Sequence, residues 1–321
     1  MITGSERVIS EIMNQIFQIQ QFPIFPRGTF NTHQNLFVRF GENTSGHLKQ
    51  KYEETWQGLT RFEETITWQM LTGPGICAAT HPGADNVFVE IMVGINSYVY
   101  NSDCVYVNPS RKIFAVSDPP GITTGSRRIF EKLDGFIHQN SIKDNLQHTI
   151  NRLNREMNPS EGATLSLLHF RKHIPHATQS FIAGDTFLFH GNLQDRTMQI
   201  IKGQDNFIGT PYAEFHPIEH LVKPGDFFLI ASDGILSIKT DSTPGRLEDI
   251  MLNYLENDWR TFVPALMNAA NAFYQEKIYD RTFSRFGGKD NISLLMVFPE
   301  ELGEFETEKS YILGGYLEER G

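Results

Sequence analysis

The chain has 321 residues, with 38 acidic against 28 basic side chains and a formal net charge of −10. It lacks the clustered Lys and Arg that hold a phosphate backbone, so no nucleic-acid partner is expected. Hydrophobic residues make up 40% and charged residues 21% of the sequence, the balance of a soluble globular protein; no apolar run reaches the roughly 20 residues of a membrane span, so no membrane partner is expected either.

The first 20 residues carry Glu6 and Glu11 and lack a basic start and a continuous apolar centre. They do not read as a secretion signal, and a cytoplasmic location is expected. Cys77 and Cys104, each in an apolar stretch, form neither a disulfide framework nor a zinc site. Val8, Ile12, Ile16 and Ile19 recur at helical spacing until Pro23 and Pro26 break the pattern, and a second helix is expected from about Gly46 to Met70. Residues 1–72 therefore read as a helical extension packed on a core. From Gly73 onward the texture changes to β-branched and aromatic runs bounded by Gly, Pro, Asn and Asp: NVFVEIMVGI, KIFAVSD, ATLSLLHF, QSFIAGDTFLFHGN, DFFLIASDG and NISLLMVF. These predict strands of about five to eight residues. Helices are predicted over about Thr124 to Met157, where Ile129, Leu133, Phe136 and Ile137 share a face, and over about Arg246 to Tyr279. Many strands with long helices inserted between them predict an α+β layered domain over 73–300. KIFAVSD, DFFLIASDG and NISLLMVF are expected as neighbouring central strands covered on both faces. Residues 301–321, rich in Glu, read as a solvated acidic tail.

Four strand runs end in, or start from, an Asp beside a small or turn-forming residue: Asp118 in AVSDPPG, Asp185 in IAGDTF, Asp233 in IASDGI and Asp290 in GGKDNI. Asp85 opens a further strand in GADNVFVE. Each alone is ordinary turn chemistry. Together, strand ends at one rim of a sheet gather carboxylates that raise one another's pKa unless cations lie between them. All-oxygen ligation suits Mg²⁺ or Mn²⁺. Two such ions about 4 Å apart bind a phosphoryl group and activate a bridging water, which points to phosphate ester hydrolysis.

The ordered runs AVSDPPG, GATLSLL, AGDTFLFHGN, GDFFLIASDGI and GGKDNISLLMV resemble the PPM, or type 2C, family of metal-dependent serine/threonine protein phosphatases, over residues 73 to 299. The resemblance implies a four-layer α-β-β-α sandwich of two antiparallel sheets flanked by helices, with two Mn²⁺ or Mg²⁺ ions at one end and a phosphoprotein substrate. It implies that Asp118 bridges both ions and that the carbonyl of Pro119 ligates one of them. Asp233 and Asp290 then hold the other ion, and Asp85 reaches the first directly or through water. Asp185 would lie near a weaker third metal site, and Asn291 would orient its neighbouring Asp.

The sequence departs from the family at three helper positions. Asp118-Pro119-Pro120-Gly121 stands where the family has Asp-Gly-His-Gly, so the His general acid is absent. Thr80-His81-Pro82-Gly83-Ala84 precedes Asp85 without the usual phosphate-binding Arg, leaving His81 as a partial substitute that lacks the bidentate fork. Ser237 replaces an acid four residues after Asp233, which argues against a third ion. A catalytically weak or inactive PPM-like regulatory protein is the alternative. His169, His173 and His176 straddle a strand end and a Pro and read as a solvated turn.

Overall fold

The computed structural model describes residues 17–23, 67–81, 98–121, 123–139, 146–171, 177–239, 245–256, 258–270, 273–278, 281–286, 290–305 and 308–319. In chain order they form β1 (Gln18–Pro23), β2 (Thr67–Gly73), β3 (Ile76–His81), β4 (Tyr98–Asn108) and β5 (Ile113–Ser117), then helices α1 (Gly125–Gln139) and α2 (Leu146–Glu156). There follow β6 (Leu165–Phe170), β7 (Ala177–Ala183), β8 (Phe187–Asn192), β9 (Thr197–Ile201), β10 (Ile218–Leu221) and β11 (Asp226–Ala231). The short α3 (Leu247–Leu252) and α4 (Phe262–Ala270) precede β12 (Phe273–Ile278), β13 (Arg281–Phe286), β14 (Ile292–Val297) and β15 (Tyr311–Glu319).

Two antiparallel sheets result, one in the order β1-β2-β3-β14-β11-β8-β9 and the other in the order β10-β7-β6-β5-β4-β15, while β12 and β13 pair only with each other. The near-continuous apolar character of the central strands has a direct cause, since each face of each sheet is covered. Along β11, Phe228 and Ile230 point between the sheets to meet Val105, Phe114, Val116 and Leu168. Their neighbours Phe227, Leu229 and Ala231 point outward onto Phe262, Val263 and Leu266 of α4. On the far side Tyr106, Ala115 and Leu167 pack against Ile129, Phe130, Leu133 and Ile137 of α1 and Ile150 and Leu153 of α2. The layers are helix, sheet, sheet, helix, as expected.

Several expectations change. The run KIFAVS forms β5 in one sheet, whereas β11 and β14 are neighbours in the other, so the three strands are not all adjacent; β5 faces β11 and β14 across the sandwich. The stretch from Thr124 to Met157 is two helices: one straight helix of that length would span about 50 Å, longer than even the 11-residue β4 on which α1 packs. The stretch from Arg246 to Tyr279 divides into α3, a 3₁₀ turn at Trp259–Thr261 capped by the Asp258 side chain, which accepts the Arg260 backbone N–H, α4, and β12. Thr67–Gly73, read as the end of a helix, is a strand, in line with the β preference of Thr and Trp. Tyr311–Glu319, read as solvated tail, is β15, paired with β4; the apolar run Tyr311-Ile312-Leu313 outweighs the Glu-rich flanks. Of the expected first helix, the part with Val8, Ile12 and Ile16 lies outside the described residues, whereas Ile19 stands in β1, paired with β2, and is strand, not helix; most of the second helix and the strand NVFVEIMVGI also lie outside the described residues. His169 stands inside β6, largely buried, and not in a solvated turn, while His173 and His176 also lie outside the described residues. Among the described residues no helix is long and apolar enough to cross a membrane.

Candidate metal centre

Strand register decides which acids meet. β4 pairs with β5 up to Cys104 opposite Ser117, and the carboxyls of the next residues, Asp103 and Asp118, are bonded to each other. In the other sheet the β8–β11 ladder runs to Ala231 opposite Phe187, and just past it Asp233 lies close enough to Asp185 to feel its charge. Ala231 also faces Leu294 across β14, whose own start carries Asp290 and Asn291. The strand ends of both sheets thus open on one cleft of about 320 Å³, lined by Asp118, Asp185, Asp233 and Asp290 together with Ser102, Asn291, Thr164, Phe207 and the turn Pro119-Pro120-Gly121.

Local chemistry fixes these positions. Thr164, at the head of β6, accepts the Asp118 backbone N–H on its hydroxyl at 2.9 Å and donates its own N–H to the Asp118 carbonyl at 2.8 Å. Ser117 donates its hydroxyl to the Thr164 carbonyl at 2.6 Å. Asp233 opens a 3₁₀ turn, Asp233–Ile238. Its successor must be glycine, since a Cβ on Gly234 would stand 2.1 Å from the Asn291 carbonyl oxygen. Asp290 accepts the Asn291 backbone N–H at 2.8 Å, and the Asn291 side-chain oxygen accepts from both the N–H and the hydroxyl of Ser102.

Asp103 is the residue that sequence reasoning missed. It is 1% exposed, bonded through its carboxyl to Ser232 and Asp118, and close enough to Asp290 and Asp233 to feel their charge. Burial first, then the neighbouring carboxylates, drives the proton affinities of Asp118 and Asp103 well above the ordinary carboxylate range. Asp233 shifts the same way, from burial and then from Asp290. Asp103 Oδ2 and Asp233 Oδ1 are buried with no hydrogen-bond partner among the described residues.

This donor set fits divalent cations: it is all oxygen, it carries several like charges, and two of its buried oxygens are unsatisfied. The side chains are closed on one another, however, with Asp118 bonded to Asp103 and to Asp233. Correspondingly, no group of three or more His, Cys, Asp or Glu among the described residues is arranged to hold a metal ion as it stands.

Asp118, Pro119, Asp185, Asp233, Asp290 and Asn291 all reach the cleft. Asp85 lies outside the described residues. His81 ends β3, paired with Ile292, and does not line the cleft. It is 6% exposed, and burial holds its ring neutral, with the pKa pushed down to about 3. A neutral His81 ring lacks the permanent charge and bidentate fork of the Arg it was expected to replace in part. Among the described residues lining the cleft there is no Lys, Arg or His.

No family model matches the chain. No curated protein matches it either. Solved structures do. The SiaA PP2C domain of Pseudomonas aeruginosa is 17% identical, with a TM-score of 0.50 over 82% of this chain and 97% of that one. A serine/threonine phosphatase of S. agalactiae is 14% identical with a TM-score of 0.49, over 70% of this chain and 98% of that one. The PPM Ser-Thr phosphatase MsPP of Mycobacterium smegmatis, solved in complex with cacodylate, is 17% identical with a TM-score of 0.48, over 69% of this chain and 97% of that one. The chain has the PP2C-type fold.

Proposed function

We propose that this chain is a divergent metal-dependent phosphatase of the PPM, or type 2C, kind that hydrolyses phosphoserine or phosphothreonine on a cytoplasmic protein substrate. The observation that carries this reading is the convergence of Asp118, Asp185, Asp233 and Asp290, from strand ends of both sheets, on one cleft, with Asp103 buried beside them. Mn²⁺ or Mg²⁺ held by these carboxylates and the Pro119 carbonyl supplies Lewis-acid charge for the phosphoryl oxygens and lowers the pKa of the attacking water.

The chain's own groups have distinct tasks in this reading. Asp118, the carboxylate between the two sheets, is kept in place by its paired backbone bonds to Thr164. Asp233 and Asp290 contribute charge from the opposite sheet, and Asp185 and Asp290 are the exposed members of the set. Phe207 and Pro120 form an apolar wall against which the substrate chain can pack. The described residues of the lining offer no imidazole for proton donation, so the leaving serine or threonine oxygen takes its proton from water, and turnover is slow by about the 10² to 10⁴ that a general acid contributes.

The lack of a Lys, Arg or His side chain among the described residues lining the cleft favours a second reading, a PPM-like regulatory protein that binds metal without turnover. Hydrolysis of p-nitrophenyl phosphate and of a phosphothreonine peptide with added Mn²⁺ separates the two. Under the phosphatase reading, activity appears with Mn²⁺, vanishes in excess chelator and is lost in Asp118→Ala. A protein that binds Mn²⁺ yet turns over neither substrate belongs to the regulatory class, and activity that survives chelation defeats the metal mechanism.

A further inference from the structure

Behind the cleft, two chains of buried polar groups cross from one sheet to the other. In the first, Ser102 of β4 donates its backbone N–H, at 3.1 Å, and its hydroxyl to the Asn291 side-chain oxygen. The backbone N–H of the same Asn291 holds Asp290. In the second, Asn101 donates its amide to the Thr80 hydroxyl at 2.8 Å, and Thr80 shares a 2.7 Å hydrogen bond with the Ser293 hydroxyl. Ser293 donates its backbone N–H to the Ser232 hydroxyl at 2.9 Å and accepts the Ser232 N–H on its carbonyl. The Ser232 hydroxyl, already an acceptor, turns its proton to the Asp103 carboxylate. Thr80, Asn101, Ser102, Ser232, Asn291 and Ser293 are all between 0% and 6% exposed.

A buried hydroxyl is retained at a cost of roughly 1–3 kcal/mol unless its hydrogen bonds are made. Four buried hydroxyls and two buried amides in the waist of the sandwich therefore need a reason. Each chain ends on a carboxyl of the cluster: the first on Asp290 through the backbone N–H of Asn291, whose side chain Ser102 holds from the opposite sheet, and the second on Asp103 through the Ser232 hydroxyl, again from the opposite sheet. A carboxylate held on one side by a fixed donor cannot rotate freely, so its remaining oxygen keeps one direction; for Asp103 that oxygen is the unpartnered Oδ2.

Building on the metal-dependent reading above, we propose that Ser102 and Ser232 are positioning residues. Ser102 sets Asp290 through Asn291, and Ser232 sets Asp103 directly, so that both present an oxygen to divalent cations. Neither serine ligates the cation. They act as outer partners of the kind whose loss typically weakens metal affinity 10- to 100-fold.

The test is Mn²⁺ binding by isothermal titration calorimetry, with unfolding in chelator followed in parallel. Ser102→Ala and Ser232→Ala are expected to weaken Mn²⁺ binding at least about 10-fold. Ser102→Thr, which keeps the hydroxyl, should bind as wild type. Ser102→Cys keeps the volume without a strong donor, so it should fold and still lose affinity, which covers the case of an alanine variant that fails to fold. The control is Thr178→Ala, which removes a fully buried hydroxyl bonded at 2.8 Å to the His169 carbonyl, at the other end of β7. It should lower the unfolding midpoint and leave Mn²⁺ affinity unchanged. If wild type binds Mn²⁺ and the Ser102 and Ser232 variants bind it equally well, or if Thr178→Ala loses as much affinity as they do, the positioning role is wrong while the metal reading stands. If wild type binds no Mn²⁺ at millimolar concentration, both are wrong.

Discussion

His220, on the edge strand β10, shares a 2.8 Å hydrogen bond with the Ser180 hydroxyl and lies edge-on to His190, 6.2 Å between ring centroids. Burial first, and His190 second, depress its pKa to about 4. His190 is itself paired with Asp226 at 2.9 Å and stacked on Phe228. Because the folded pKa lies below the unfolded value near 6.5, the unfolded chain binds the extra proton between those two values. Stability from this group is therefore full above pH 6.5 and is lost as pH falls toward 4. Discounted for partial exposure, the loss is about 1–2 kcal/mol. Urea unfolding at pH 7 and pH 4.5 should show His220→Gln, which keeps a partner for Ser180, losing less stability on acidification than wild type by that amount; equal losses would remove the assignment. A single residue also marks the limit of what was legible at the site. Asp118, Asp233 and Asp290 announce themselves in the sequence because each ends or begins an apolar run beside a turn former. Asp103 lies in the middle of β4, in YVYNSDCVYV, and not at the end of an apolar run, and its meaning depends on the β4–β5 pairing, which runs up to Cys104 opposite Ser117 and leaves the Asp103 and Asp118 carboxyls bonded to each other. The available signal was an acid inside a buried run, which has to be paired or to bind a cation.

At the scale of the element, β15 has more consequence than its Glu-rich composition suggested. It flanks β4 along most of its length, with a bulge between Gly314 and Tyr316. Gly314 and Gly315 have φ of +74° and +63°, and a Cβ on Gly314 would stand 2.2 Å from the Asp103 carbonyl oxygen. Such strand pairings over more than 200 residues of separation are not written in local periodicity, which is why the core strands were legible and this edge was not. Gly314→Ala is therefore expected to lower stability by roughly 1–3 kcal/mol, from the strained φ and the displaced β4, and to weaken Mn²⁺ binding through Asp103. Gly135→Ala provides the contrast: that glycine lies within α1 with open space around its Cβ direction, so the substitution should stabilise by about 0.5–1 kcal/mol and leave Mn²⁺ affinity alone. Chemical denaturation and metal titration of the two variants side by side decide the matter. The helices were legible only as apolar faces; their true lengths follow from the short sheets they cover.

On the scale of the whole molecule, the carboxylate cluster is also a seam. Asp103 and Asp118 belong to one sheet, and Asp185, Asp233 and Asp290 to the other, in a chain whose net charge is already −10. Without cations the two sheets meet here through like charges and shared protons, beside the buried polar chains that cross between them. A divalent ion bound across the seam stabilises the folded state by mass action, about 2.7 kcal/mol when free metal is 100 times its dissociation constant. For a domain of this size that corresponds to about 5–10 °C in melting temperature. The midpoint should accordingly climb with Mn²⁺ concentration without levelling at stoichiometric metal, and fall back with chelator. Asp118→Asn keeps the shape and hydrogen bonding of a protonated carboxyl while removing a charge from the middle of the cluster. It should therefore melt no lower than wild type in chelator yet lose most of the Mn²⁺ response. A melting temperature indifferent to Mn²⁺ in wild type, or an undiminished response in Asp118→Asn, would show that the acids at this seam are held by protons alone.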